Sequence, residues 1–204
     1  MIQDLSSWVP GLFLIHDFLD PPLADALRAF LDSRPWRTDV CTPKRTQHYG
    51  AAYPELSAEQ SEELRAHLPP IVDMVVERAV PFFGQEPNEI MVIEYASGQG
   101  LDPHIDGPFW GDVIGSLSLG REAVMRFSPR SAPDQAIDVP LPARSLVLMT
   151  GPARHNWYHA IPPLKGNDPG RRVSLTLRTL EEAAAEQVQA RQHLPGAAAG
   201  QLVG

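Results

Sequence analysis

At 204 residues, with 43% hydrophobic and 21% charged side chains, the chain is long enough for one domain with a substantial core, and its composition is ordinary for a soluble globular protein. A net charge of −8 opposes general affinity for a polyanion, so any nucleic acid would have to be held by a local basic patch. No apolar run approaches the ~18 residues of a membrane span, the N-terminus lacks the pattern of a signal peptide, and the single cysteine, Cys41, excludes an internal disulfide framework. A cytoplasmic monomer without membrane attachment is the expectation.

Residues 12–15 read as a short strand. Asp20-Pro21-Pro22 then opens a helix with Asp20 as its N-cap and proline in its first turn, and Leu23, Leu27, Phe30 and Leu31 follow at helical spacing. Residues 36–53 are less regular and, for so acidic a chain, basic and aromatic: Arg37, Lys44, Arg45, His48 and Tyr49 fall here. Ser57-Ala-Glu-Gln60 is a capping-box pattern that predicts a second helix. A third is predicted over 71–83, with Ile71, Val75, Ala79 and Phe82 as its core stripe.

At Glu89 the helical period gives way to that of strands. Segments 89–95, 113–119, 123–127, 145–149, 157–161 and 172–180 are predicted strands, separated by Gly, Pro and Asp. Strands in succession without intervening helices point to a sandwich or jelly roll. The predicted organisation is a single domain over 1–194, with a helical front at 1–88, a β core at 89–180 and a C-terminal helix at 181–194. Residues 195–204 form a small-residue tail expected to be disordered.

The chemistry is concentrated in Glu94-Tyr-Ala-Ser-Gly-Gln-Gly-Leu-Asp-Pro-His-Ile-Asp106, where an apolar strand runs into a glycine turn and then presents His104 and Asp106. Two apart in an extended segment, these side chains project from one face and suit two ligands on one metal. Completed by a distant second histidine, they would form the 2-His-1-carboxylate set of non-haem iron oxygenases. Of the seven histidines, His155 and His159 lie in a suitable downstream strand, and alternation does not separate them. In Arg172-Val-Ser-Leu-Thr-Leu-Arg178 the pattern alternates without a break, so Arg172, Ser174, Thr176 and Arg178 share one face and Val173, Leu175 and Leu177 the other. Guanidinium groups suit carboxylates, and a dicarboxylate beside iron suggests 2-oxoglutarate.

Together these motifs resemble those of the AlkB-like family of Fe(II)/2-oxoglutarate-dependent dioxygenases. The residues that carry the resemblance are Tyr95, Gly98, Pro103, His104 and Asp106; Ser118-Leu-Gly120; Ser145, Leu146, Gly151, Arg154, Trp157 and His159; and Arg172 to Arg178. It covers about half of the chain strongly and the front only loosely. It implies an α+β fold with a double-stranded β-helix (jelly-roll) core, and Fe(II), 2-oxoglutarate and O2 as cofactor and cosubstrates. His104, Asp106 and His159 would be the catalytic iron ligands, while Tyr95, Arg172, Ser174 and Arg178 would hold 2-oxoglutarate. Arg154 and Trp157 would orient Asp106 or groups on the iron. Ile93 stands where many members have Asn.

The implied reaction is oxidative demethylation of N-alkylated nucleic acid, in DNA or RNA repair or modification. In the resemblance the front segment forms a lid, with Tyr49 stacking on an extruded base, His48 beside it, and Arg37, Lys44 and Arg45 on phosphates. The alternatives are a dioxygenase acting on a protein or small molecule, and a β-barrel binding module without enzymatic activity.

Overall fold

The computed structural model describes residues 1–38, 44–50, 68–163 and 170–180. Its strands are β1 (Ile2–Asp4), β2 (Leu12–Ile15), β3 (Arg45–Gly50), β4 (Glu89–Tyr95), β5 (Leu101–His104), β6 (Val113–Gly120), β7 (Ala123–Pro129), β8 (Ile137–Leu141), β9 (Leu146–Thr150), β10 (Trp157–Ile161) and β11 (Arg172–Arg178). Its helices are α1 (Pro21–Asp32), α2 (Pro70–Phe83) and α3 (Gly151–His155). A seven-stranded sheet in the order β1-β2-β9-β6-β11-β4-β3 faces a four-stranded sheet in the order β5-β10-β7-β8. This is the α+β jelly-roll arrangement that the strand-rich second half predicts.

Alternation along the large sheet builds two cores. One face, with Val92, Leu117, Leu119, Leu148, Val173, Leu175 and Leu177, packs against α1 and α2, which contribute Leu23, Leu27, Leu31, Val72, Val75 and Val76. The other face carries Met91, Ile93, Tyr95, Ile114, Val147 and Met149 into the space between the sheets, where Met125, Phe127, Val139 and Leu141 meet them from the smaller sheet. Helix α1 begins as predicted, Asp20 Oδ1 accepting a hydrogen bond from the Leu23 amide at 2.9 Å with proline in the first turn. Helix α2 starts one residue before the predicted point and buries Val72, Val75, Val76, Ala79 and Phe83, while Ile71 and Phe82 are only partly buried.

The structure departs from the sequence reading in four places. Front strands β1, β2 and β3 join the large sheet, β2 on β9 and β3 on β4, so Glu89 is not a boundary within the sheet. Residues 45–50, placed in a less regular stretch and likened to a lid strand only through the resemblance, form β3 of the large sheet. Both edges of the small sheet contain a proline: β5, with Pro103, falls in the segment read as extended but not counted among the strands, and β8, with Pro140, in a stretch left between strands; an edge strand tolerates proline because one side of its backbone needs no ladder partner. Gly151-Pro152 opens helix α3 where an extended run was expected, and β10 starts only at Trp157. The predicted helices near 57 and over 181–193, and the tail, lie outside the described residues. Among the described residues no helix is long and apolar enough to cross a membrane.

Candidate metal centre

His104 ends β5 and His159 lies in the middle of β10, directly opposite it in the antiparallel ladder. Residues facing each other across a ladder have Cβ atoms within about 5.5 Å, which brings the two rings together; their centroids are 4.2 Å apart. Strand β5 stops at His104, so Asp106 arrives from the following loop instead of from the same strand face. The ligand atoms of all three residues nonetheless lie within 4.8 Å of one another and can hold one metal ion. Asp106 Oδ2 is 3.3 Å from His159 Nε2.

His104 and Asp106 are each oriented by groups behind them. His104 Nδ1 is 2.8 Å from the Asp102 carbonyl oxygen, which can only accept, so Nδ1 carries the proton and Nε2 is left to bind a metal. Burial and the neighbouring His159 lower the pKa of His104, favouring the neutral ligand form. Burial alone would raise the Asp106 pKa. The hydrogen bond and charge of His159, with the charges of Arg178 and His104, outweigh it and hold the carboxyl well below the usual range.

Two buried arginines fix the Asp106 loop. Arg154, on α3, donates from Nη1 to the Asp106 carbonyl at 3.0 Å, from Nη2 to those of Gly107 and Trp110 at 2.8 and 3.2 Å, and from Nε to that of Gly111 at 3.2 Å. Arg178, ending β11, donates to Asp106 Oδ1 at 3.1 Å and grips Glu89 through Nε and Nη2 at 2.7 and 3.1 Å. It also lies 4.1 Å from the Trp110 ring centroid. Arg178 was expected to hold cosubstrate; the structure turns it to these two carboxylates.

Farther along the same interior face, Arg172 is fully buried opposite Tyr95 and Gly120. Its Nη2 donates to Ser118 Oγ at 3.2 Å and Ser174 Oγ at 3.4 Å, and its guanidinium lies 4.8 Å from the Tyr95 ring centroid. Nε and Nη1 are buried without a hydrogen-bond partner. A buried cation with two open donors is costly unless an anion meets it, and a terminal carboxylate of 2-oxoglutarate would do so. The donor set therefore fits both iron, through two imidazoles and a carboxylate, and the dicarboxylate. Burial pushes the Tyr95 phenol up, with Arg172 opposing. Ser174 Oγ is also 2.9 Å from Ser116 Oγ, and Ile93 lies opposite Ser174 in the ladder, an apolar wall beside these hydroxyls.

The remaining expected residues are placed less uniformly. His155 sits on α3, exposed, 3.1 Å from Asp112, outside the triad. His48 is buried, its Nδ1 3.9 Å from Glu89. Lys44, expected on a substrate phosphate, is buried with its ammonium 5.6 Å from the Tyr95 ring. Arg45 and Tyr49 have the opposite parity in β3. Arg45 donates to Glu94 Oε1 at 2.9 and 2.6 Å, while Tyr49 packs on Phe30 and donates to Gln47 Oε1 at 2.9 Å, so neither faces the triad.

Over residues 11–178 the sequence matches the model of the 2OG-Fe(II) oxygenase superfamily. The chain belongs to that family. Within it the chain is AlkB-like. It is 30% identical to the human alpha-ketoglutarate-dependent dioxygenase alkB homolog 4 over 216 residues, covering 87% of this chain and 70% of the relative. It is 31% identical over 166 residues to the tRNA (carboxymethyluridine(34)-5-O)-methyltransferase alkbh8 of Xenopus tropicalis, covering 76% of this chain but only 26% of that longer protein. It is 26% identical to a DNA N6-methyl adenine demethylase of Caenorhabditis elegans, with 90% of this chain and 64% of the relative covered. The solved structure of OsALKBH1 superposes with a TM-score of 0.66 at 19% identity, over 88% of this chain and 100% of that one, which supports the fold. Membership makes the protein a dioxygenase that uses Fe(II), 2-oxoglutarate and O2.

Proposed function

We propose that this AlkB-like oxygenase removes an alkyl group from a nitrogen of nucleic acid, with His104, Asp106 and His159 as iron ligands and Arg172 as the anchor of 2-oxoglutarate. The observation that carries the site assignment is the buried guanidinium of Arg172, with two open donors, on the same interior face as the triad. Relatives named for action on tRNA and on methylated DNA support the substrate class.

When bound, iron with 2-oxoglutarate and O2 supplies oxidation of a C–H bond; 2-oxoglutarate leaves as succinate and CO2, and a hydroxylated N-methyl carbon leaves as formaldehyde. The chain's part is positioning and exclusion of water. Asp102 fixes the tautomer of His104, and Arg154 and Arg178 hold the backbone and carboxylate of Asp106. Arg172, Ser174 and Tyr95 hold the dicarboxylate, and Ile93 and Met91 line the apolar floor. Preorganised donors of this kind cost no rearrangement during reaction.

The test is to incubate the protein with Fe(II), 2-oxoglutarate, ascorbate and methylated oligonucleotides. Succinate and formaldehyde should form together; turnover unaffected by every oligonucleotide removes the nucleic-acid assignment. A second reading, oxidation of a protein side chain or small molecule, is favoured by the placement of Arg45 and Tyr49 away from the triad. It predicts formaldehyde or hydroxylated product from those substrates only.

A further inference from the structure

The arginines that a phosphate would meet lie elsewhere than expected. Arg45, read from the sequence as a phosphate ligand, is committed to Glu94 and stacks over Trp36, 5.2 Å from its centroid. On the helix-facing side of the large sheet, a half-open cleft of about 510 Å³ is lined by Arg28, Gly120, Arg121, Glu122, Gly170 and Arg171. Three elements bring three guanidinium groups to it: α1, the turn between β6 and β7, and the segment entering β11. Glu122 is the carboxylate on its rim. None of these residues touches the triad, and Arg171 points to the face opposite that of its neighbour Arg172.

The geometry points to a phosphate-binding site in this cleft, which accepts a phosphate group presented by a nucleic-acid strand or by a small phosphorylated molecule. Four observations converge. Arg28 lines the cleft, and its Nε has no hydrogen-bond partner among the described residues, so its guanidinium is not fully committed to the protein. Arg171 is engaged by Asp32 and by Glu94 Oε2 at 2.8 Å, the carboxylate that also holds Arg45, with Trp36 5.8 Å from its guanidinium, so it frames the cleft in a fixed position while Arg28 and Arg121 face a ligand. Gly120, at φ 77°, lets the backbone pass so close to the Arg171 carbonyl that a Cβ would lie 2.4 Å from that oxygen; a side chain there would close the turn that carries Arg121 to the cleft. Finally, three guanidinium groups line the cleft against the single carboxylate of Glu122 in its wall, and guanidinium forks match phosphate oxygens in pairs.

Strand phosphate as the source rests on the proposed nucleic-acid function; the site itself does not. The experiment titrates the full chain, and its Arg28→Gln and Arg121→Gln variants, with inorganic pyrophosphate and separately with an unmethylated single-stranded oligonucleotide at several salt concentrations. Both variants should keep wild-type iron binding and wild-type uncoupled turnover of 2-oxoglutarate, since neither residue touches the site. Each should weaken pyrophosphate binding about tenfold and lose the rise in melting temperature that pyrophosphate gives the wild type. If the strand is the source, each also weakens oligonucleotide binding and makes its salt dependence shallower by about one counterion. Pyrophosphate binding that is lost in the variants, with no oligonucleotide binding by the wild type, keeps the site for a small phosphorylated molecule and removes the nucleic-acid reading. Equal pyrophosphate binding by all three proteins, or none by the wild type, overturns the site.

Discussion

Arg178 donates to Asp106 Oδ1 at 3.1 Å, and so ties the carboxylate of a loop beside the small sheet to the last residue of β11, an interior strand of the large one. The same guanidinium is bidentate to buried Glu89, which leaves it no freedom to swing away. Arg178→Gln should therefore lower metal affinity about 10- to 100-fold, as loss of a group behind a ligand commonly does. It should also cost about 3–5 kcal/mol of stability by leaving Glu89 buried and unpaired. Anaerobic titration with Fe(II) or Co(II) and chemical denaturation measure the two effects; unchanged metal affinity would contradict the role given to Arg178.

His104→Ala and His159→Ala should each abolish stoichiometric metal binding, whereas His155→Ala should leave it intact, because His155 pairs with Asp112 on the surface. A competition assay with a metallochromic dye distinguishes the three variants. Retained binding in either of the first two would remove that residue from the centre.

Arg154→Lys keeps the charge but cannot span four carbonyl oxygens with one planar fork. We expect a loss of at least about 2 kcal/mol in stability from buried carbonyls left without donors. Weaker metal binding should accompany it, because the Asp106 backbone is no longer fixed. Isothermal titration against the melting temperature checks whether the two losses occur together.

Arg172→Lys should raise KM for 2-oxoglutarate by about tenfold or more while metal affinity stays at the wild-type value, because Arg172 touches Ser118, Ser174 and Tyr95 but no metal-binding side chain. A KM that does not move would reassign the buried guanidinium to a purely architectural role.

Tyr49 gives a pH-dependent signature. Burial pushes its phenol up to about 12, with Arg34 opposing. Unfolded tyrosine ionises near 10, so the stabilising contribution is whole below about pH 10 and is lost as pH rises from there toward 12. Ultraviolet titration of wild type against Tyr49→Phe should show one late phenol missing. Turnover by the variant should be unchanged, since Tyr49 faces Phe30 and the helical layer; a fall in turnover would return it to the substrate path.

How much of this was legible depended on local pattern. The alternation of β11 was legible, though the strand was predicted two residues too long, over 172–180, because it is an interior strand with both faces covered: the apolar set meets helices and the polar set meets the interior. His104 and His159 were legible as candidate ligands through the resemblance, yet not as cross-strand partners, since pairing register is a tertiary property. Tyr49 was misplaced for a related reason. Once β3 was read as irregular, its alternation went unused, although Thr46 and His48 against Arg45, Gln47 and Tyr49 separates the inward from the outward set. That Arg154 orients Asp106 was expected from the resemblance, but its grip on four backbone carbonyls was not legible, because backbone acceptors have no sequence identity. The arginine cleft was invisible for the same reason: residues 28, 121 and 171 meet only after folding.

Histidines 104 and 159 both belong to the small sheet, while Arg172 and Arg178 belong to the large one. The distance between the two histidines and Arg172 is thus set by the thickness of the apolar layer between the sheets, filled by Ile93, Ile114, Met125, Phe127 and Val147. The enzyme works as a caliper whose jaws are two sheets and whose spacer is hydrocarbon. Thinning the spacer, as in Met125→Ala, should detune cosubstrate binding in a protein that still folds, and catalysis should fail on heating before the sheets separate.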